Sequence, residues 1–319
     1  MLYTVSDQPL TTHARVGGVE AQIGQTPLIP LRRLSHDLPP GVRLWVKAEW
    51  FNAGGSVKAR PARHIIYDAL RRGWLDGRRL LDATSGNTGI AYATLGAALG
   101  IPVTLAMPAN ASPERIAILR GLGVELLLTD PEDGVDGAQA LVQRLAEEHP
   151  DRYFWANQYD NPANWLAHYE TTGPEIWAQT HGRITHLVAG TGTGGTLMGT
   201  GRYLREQNPT ITLVAVQPKD PDHGIEGLKH MEATRRRPAI YDPSFPDVVV
   251  RVRPEDAYAM ARELARREGL FVGLSAAAIV WAMLRVAHEI RQGCFVAVLP
   301  DAGYKYLSGL PWREPSELG

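Results

Sequence analysis

From residue 79 onward, apolar runs of strand length alternate with stretches of helical periodicity, and few folds accept that pattern. Residues 79–83, 103–107, 124–129 and 153–157 read as strands, with helices over 88–99, 113–122 and 137–148 between them. A second series places a helix over 164–180, a strand over 184–189, a helix over 195–206 and a strand over 212–216. After a polar, proline-rich passage at 218–247 come helices over 254–267 and 276–291 and a strand over 295–299. Alternation of this kind predicts parallel sheets covered on both faces, hence an α/β fold. Two such series predict two domains with a cleft between them, taken as 52–160 for the smaller and 1–51 with 161–319 for the larger. At 319 residues and 44% hydrophobic content the chain is long enough for both. Ahead of the regular series, Gly24-Gln25-Thr26-Pro27-Leu28 reads as a turn into a short strand, and 44–49 as a further strand.

In open α/β sheets, ligands sit beyond the carboxyl ends of strands, so the turns that follow strands are where chemistry is expected. The first is Asn52-Ala53-Gly54-Gly55-Ser56-Val57-Lys58, which leads into a helical pattern. A cation is out of place at a helix start, where the macrodipole is positive. Held there and away from water, Lys58 has a lowered pKa and acts as a nucleophilic amine able to form a Schiff base. A solvated lysine after a glycine turn is the plainer alternative. The second turn, Thr84-Ser85-Gly86-Asn87-Thr88-Gly89, offers small hydroxyl and amide side chains and outward N–H groups, a nest for a carboxylate. An ordinary helix cap would need only one of those residues. The third, Gly190-Thr191-Gly192-Thr193-Gly194-Gly195-Thr196, is a phosphate-cradling turn that also satisfies G-x-G-x-x-G. A dinucleotide site expects an acid near the end of the next strand, where this chain has Val216-Gln217-Pro218-Lys219. An NADP reading with Lys219 on a 2′-phosphate stays open, while the lysine of a Walker loop is missing. Gly273-Leu274-Ser275 places one further hydroxyl at a helix start. A reactive lysine, a carboxylate nest and a monophosphate cradle together match the needs of pyridoxal phosphate and an amino-acid substrate.

A formal charge of −1 gives no electrostatic case for nucleic acid or an anionic membrane. One cysteine, Cys294, excludes an intrachain disulfide, and the ten histidines lack metal-ligand spacing, so no metal site is predicted. No leader-like segment opens the sequence, and no apolar run approaches the ~20 residues of a membrane span, which predicts a cytoplasmic protein.

The turns above, with Gln158-Tyr159-Asp160-Asn161-Pro162-Ala163-Asn164, His168-Tyr169, Thr172-Gly173-Pro174-Glu175-Ile176 and Tyr304-Lys305-Tyr306-Leu307-Ser308, resemble the tryptophan-synthase-β-like pyridoxal-phosphate enzymes. Within them the chain is similar to the cysteine synthases, B type, and the resemblance runs over nearly its whole length. It implies that Lys58 carries the cofactor and that Asn87 meets its ring oxygen. Gly192, Thr193, Gly194, Gly195 and Thr196 would hold its phosphate, and Ser275 would face its ring nitrogen. Thr84, Ser85, Gly86, Thr88 and Gln158 would grip the substrate carboxylate. The implied reaction is a β-replacement on O-acetylserine or O-phosphoserine through an aminoacrylate, with sulfide or another sulfur donor, in a homodimer. Cystathionine β-synthesis, serine/threonine dehydration, or a non-catalytic cofactor-binding paralogue remain alternatives on the same fold. Relatives carry Asp where this chain has Ala59, a loss expected to remove a local ion pair to Arg60 or Arg63. Ala276, Ala277 and Ala302 are further departures. Lys219 stands where some O-phosphoserine users place arginine, and is expected beside the leaving group.

Overall fold

The computed structural model describes residues 17–308 except Ser85 and Arg235. Two sheets organise it. The larger takes the order β1 (Leu28–Pro30), β2 (Gly41–Ala48), β10 (Gln292–Leu299), β7 (His186–Gly190), β8 (Thr212–Pro218), β9 (Val248–Val252). The smaller runs β5 (Glu125–Thr129), β4 (Val103–Pro108), β3 (Arg79–Ala83), β6 (Tyr153–Trp155). Every pairing is parallel except β1 on β2. Every residue of β4 is buried, as a central parallel strand covered on both faces requires.

Helices α1 (Ala59–Arg71), α2 (Asn87–Leu99) and α3 (Pro113–Gly121) cover one face of the smaller sheet. There Ile65, Ile66, Leu80, Ile90, Leu105 and Leu119 share one apolar core. Helix α4 (Gly134–Glu148) closes the other face through Ala138 and Val142. In α1 the buried positions 59, 62, 65, 66 and 69 repeat at helical spacing, so one stripe faces the core. Ser112 caps α3 by accepting the Arg115 N–H, with Pro113 in its first turn. Ile23 also enters this core, so the smaller sheet draws on residues before position 52.

Around the larger sheet, α8 (Pro254–Glu263) and α9 (Leu274–Ala287) pack on one face. The other is covered by α6 (Gly173–Gln179) and α7 (Gly195–Gln207). The single helix expected over 164–180 is α5 (Ala163–Ala167) and α6 joined by a π-helical turn, His168–Thr172. The helix expected from 254 likewise passes into a π-helical turn, Leu264–Glu268.

Strand β9 went unrecognised in the sequence because it is an edge strand. Only Val252 is fully buried, and the run lies inside a polar, proline-rich passage. Strand β2 begins at Gly41, earlier than the apolar run suggests, because its first residues alternate exposed and buried.

Ala59 does not leave an ion pair open. It is fully buried in the core of the smaller sheet, while the Arg60 guanidinium pairs with Glu49 and Glu175 and Arg63 donates to the carbonyls of Glu20 and Ile23. An aspartate at position 59 would be a charge facing apolar side chains.

Candidate active site

Strands β10, β7 and β3 point their carboxyl ends at one cleft of about 1140 Å³, open solvent at its mouth included. Lys58, Asn87, Thr88 and Gln158 line it. So do Gly192, Thr193, Gly194, Thr196 and Ser275, which brings three separately expected turns onto one cavity.

Lys58 is the residue before α1, and its carbonyl accepts the Ala62 N–H. Ser56 Oγ accepts the Lys58 N–H at 3.3 Å. The chain beyond β10 clamps this turn: Val57 N–H donates to Pro300 O, and Ser56 pairs antiparallel with Asp301. Burial pushes the Lys58 amine below its ordinary value, opposed by the charge of Asp301.

Behind the nest, Thr84 Oγ1 accepts the N–H groups of Gly86 and Gly89, so this hydroxyl shapes the turn and caps α2. Thr88 Oγ1 donates to Gln158 Oε1 at 2.6 Å, and Gln158 Nε2 donates to Ala83 O. Asn164 Nδ2 bonds both Gln158 O and Thr193 Oγ1, which ties the nest to the cradle through side chains. Ser85 lies outside the described residues.

The cradle opens α7. Gly194 stands before the helix with φ +89°, a left-handed backbone open to glycine, and the first helical N–H, that of Gly195, donates to Thr193 Oγ1 at 3.3 Å. The N–H groups that follow in the first turn of α7, with the Thr193 and Thr196 hydroxyls, are the donors at the cleft. His168, delivered by the π-helical turn, is buried, with Nε2 3.3 Å from Thr196 Oγ1 and Nδ1 2.9 Å from Thr172 Oγ1. Burial holds its pKa well below the usual value, so the imidazole is neutral.

Of the expected residues, Thr84, Gly86 and Gly195 are not on the cleft lining, and neither is Lys219. It is exposed, and its N–H bonds Val252 O, so the chain leaves β8 toward the β9 edge of the sheet and away from the cleft. The cations on the cleft wall are instead Arg115 and Lys229. Arg115 pairs with Glu226 and stacks on the Tyr306 ring, while Lys229 Nζ lies 4.5 Å from the centre of the Tyr159 ring. Neither carries a strand-end signal in the sequence: Arg115 reads as part of a capped helix, and Lys229 as loop.

A cluster around Asn87 was also not foreseen. Its Nδ2 donates to Asp301 Oδ2 at 2.8 Å and its Oδ1 accepts from Lys305 Nζ at 2.8 Å. Lys305 further donates to Gly54 O and Gly55 O, and burial lowers its amine to about 8. Asp301 lies two residues past the end of β10, which is the one signal that could have flagged it.

A buried amine suits an aldehyde, and a glycine-rich helix N-terminus with two threonines suits a phosphate monoester. The hydroxyl of buried Ser275 suits a ring nitrogen. A profile of the family described as pyridoxal-phosphate dependent enzyme matches residues 19–301. The chain belongs to this family. As a pyridoxal-phosphate dependent enzyme it is 52% identical over 292 residues to the cysteine synthase of Aquifex aeolicus, covering 90% of this chain and 89% of that one. It is 44% identical to cysteine synthase B of Salmonella typhimurium over 91% of this chain and 94% of that one. Among solved structures, the cysteine synthase of Entamoeba histolytica superposes with a TM-score of 0.88 at 33% identity, over 98% of this chain and 97% of that one.

Proposed function

We propose that this enzyme forms L-cysteine by β-replacement, exchanging the β-substituent of O-acetylserine or O-phosphoserine for sulfide or another sulfur donor. One observation carries the reading: the amine, the nest and the cradle open onto a single cleft, in a chain 52% identical to a protein named cysteine synthase. When bound, pyridoxal phosphate supplies an electrophilic carbon for an amine and a ring that draws electrons from the substrate α-carbon. Lys58 Nζ holds the cofactor and takes the substrate α-proton. Gly192 to Thr196 bind the phosphate, Ser275 faces the ring nitrogen and Asn87 the ring oxygen. The turn from Thr84 to Thr88 holds the substrate carboxylate together with Gln158. A serine hydroxyl, unlike a carboxylate, leaves the ring nitrogen uncharged, which is enough for expelling a good leaving group. The test is cysteine release by the cofactor-loaded protein from an activated serine and sulfide. Release at catalytic rates supports the reading, and none from either donor overturns it.

The position of Lys229 supports O-phosphoserine as one donor, in the place that the sequence suggested for Lys219. Burial lowers the Lys229 amine, while the charge of Asp136 works the other way. A cation on the cleft wall stabilises a departing phosphate more than a departing acetate. Lys229→Ala is expected to lower kcat/KM for O-phosphoserine relative to O-acetylserine by roughly tenfold, the ~1.5 kcal/mol of one charge-assisted contact. Lys219→Ala is expected to leave that ratio unchanged. Equal effects of the two variants would remove Lys229 from this role.

The working unit in this reading is a homodimer in the cytoplasm. Exposed Phe51, Tyr304 and Leu307 offer apolar surface to a second copy, and the lone thiol Cys294 suits a reducing compartment. Light scattering is expected to return twice the 35.0 kDa chain mass, and a single-chain mass would refute the dimer.

A further inference from the structure

Asp301 is fully buried beside the lysine turn, yet its carboxylate is only half used. Oδ2 accepts from Asn87 Nδ2 and from the Tyr306 hydroxyl at 2.5 Å, whereas buried Oδ1 has no hydrogen-bond partner. A buried carboxylate oxygen without a donor is costly and persists where another interaction compensates. The backbone fixes where that interaction lies: Asp301 pairs with Ser56, two residues before Lys58, and Val57 N–H bonds Pro300 O. The chain also makes room for the oxygen, since a side chain at Gly273 would overlap Oδ1.

We propose that Asp301 is a positioning residue whose carboxylate stabilises the ammonium form of Lys58, the form the amine becomes each time it takes the substrate α-proton. This rests on Lys58 being the reacting amine. In that step the Cα–H bond breaks and an N–H bond forms at Nζ. The released pair moves toward Cβ as acetate or phosphate departs with its own bonding pair. Burial alone would make Nζ a weak proton acceptor, and the neighbouring negative charge restores part of its basicity. Of the other charged or titratable groups, Lys305 and Tyr306 interact with Asp301 from the segment after β10, and Arg115 of α3 acts on those two. Lys58 itself faces neutral His168 from the π-helical turn.

The test removes the charge and keeps the shape. The full chain is stripped of cofactor, and its capture of added pyridoxal phosphate is followed by visible absorbance across pH. Capture needs the neutral amine, so the midpoint reports Lys58. In Asp301→Asn the midpoint is expected about one unit more acidic than in the parent, the scale of one nearby opposite charge. α-Proton exchange of the substrate is expected to slow by about tenfold. A residue that merely held Asn87 and Tyr306 in place would not move the midpoint, because asparagine keeps an acceptor for both. An unchanged midpoint overturns the role of Asp301. Capture by a Lys58→Ala control equal to that of the parent would instead overturn the assignment of Lys58. If the Asn protein does not fold, Asp301→Ser gives the same reading with a smaller neutral side chain.

Discussion

Lys58→Ala protein is expected to lose cysteine formation by at least about 10³-fold while remaining folded. The loss is large because one amine is asked both to hold the cofactor and to move the α-proton, and general acid–base catalysis alone contributes ~10²–10⁴-fold. Among the described residues, no neighbouring cation is placed to substitute. Lys305 is held by the carbonyls of Gly54 and Gly55, Lys229 lies over the Tyr159 ring, and Arg60 is sealed among carboxylates. Folding should survive, because the contacts that start α1 run through the Lys58 backbone, which alanine retains. Removing a desolvated amine relieves a burial cost, so the unfolding midpoint is expected at or above that of the parent. Assay of cysteine release beside thermal unfolding checks both statements, and a parental rate would refute the first.

The largest stability effect is expected at Arg60, two residues further on. Its fully buried guanidinium donates through Nε and Nη2 to Glu49, at 2.7 and 2.8 Å, and through both Nη atoms to Glu175, at 2.7 and 2.8 Å. Lys47 Nζ adds a 2.7 Å contact to Glu175, and Thr26 donates to Glu49 Oε1. Removing the arginine strands a buried carboxylate, so Arg60→Met is expected to cost about 3–5 kcal/mol in denaturant unfolding. The arginine charge also sets the response to acid. Burial alone would raise both carboxyls, but Arg60 overrides it, holding Glu175 at about 2 and Glu49 below its ordinary value. A folded-state pKa below the unfolded 4.5 means a contribution fully present above that pH and lost as pH falls toward 2. The parent should lose stability steeply between about pH 5 and pH 2, and Arg60→Met should show a shallower slope there. A variant within ~1 kcal/mol of the parent at neutral pH would show that the cluster is replaceable.

Much of this was legible in the sequence because parallel strands buried on both faces leave continuous apolar runs, and the turns after them carry glycine and hydroxyl residues where N–H groups must stay open. Strands β3, β4, β5 and β7 and the turns at Lys58, Asn87 and Gly194 were all foreseen for that reason. What failed depended on contacts distant in sequence. Lys219 sits at a strand end, but the pairing of β8 with β9 carries it off the cleft, and loop residue Lys229 takes the wall instead. Ala59 looked like a missing ion pair until Glu49 and Glu175 were seen to satisfy Arg60. Asp301 meets Asn87 across 214 positions, a contact that no local pattern records.

The central claim is that Lys58 is the amine joined to the cofactor. Borohydride reduction of the cofactor-loaded protein, followed by proteolysis and peptide mass mapping, reads that bond directly. The expected result is one pyridoxyl group per chain on the peptide containing Lys58. A label on Lys229 or Lys305, or no label on a protein that still releases cysteine, would contradict it.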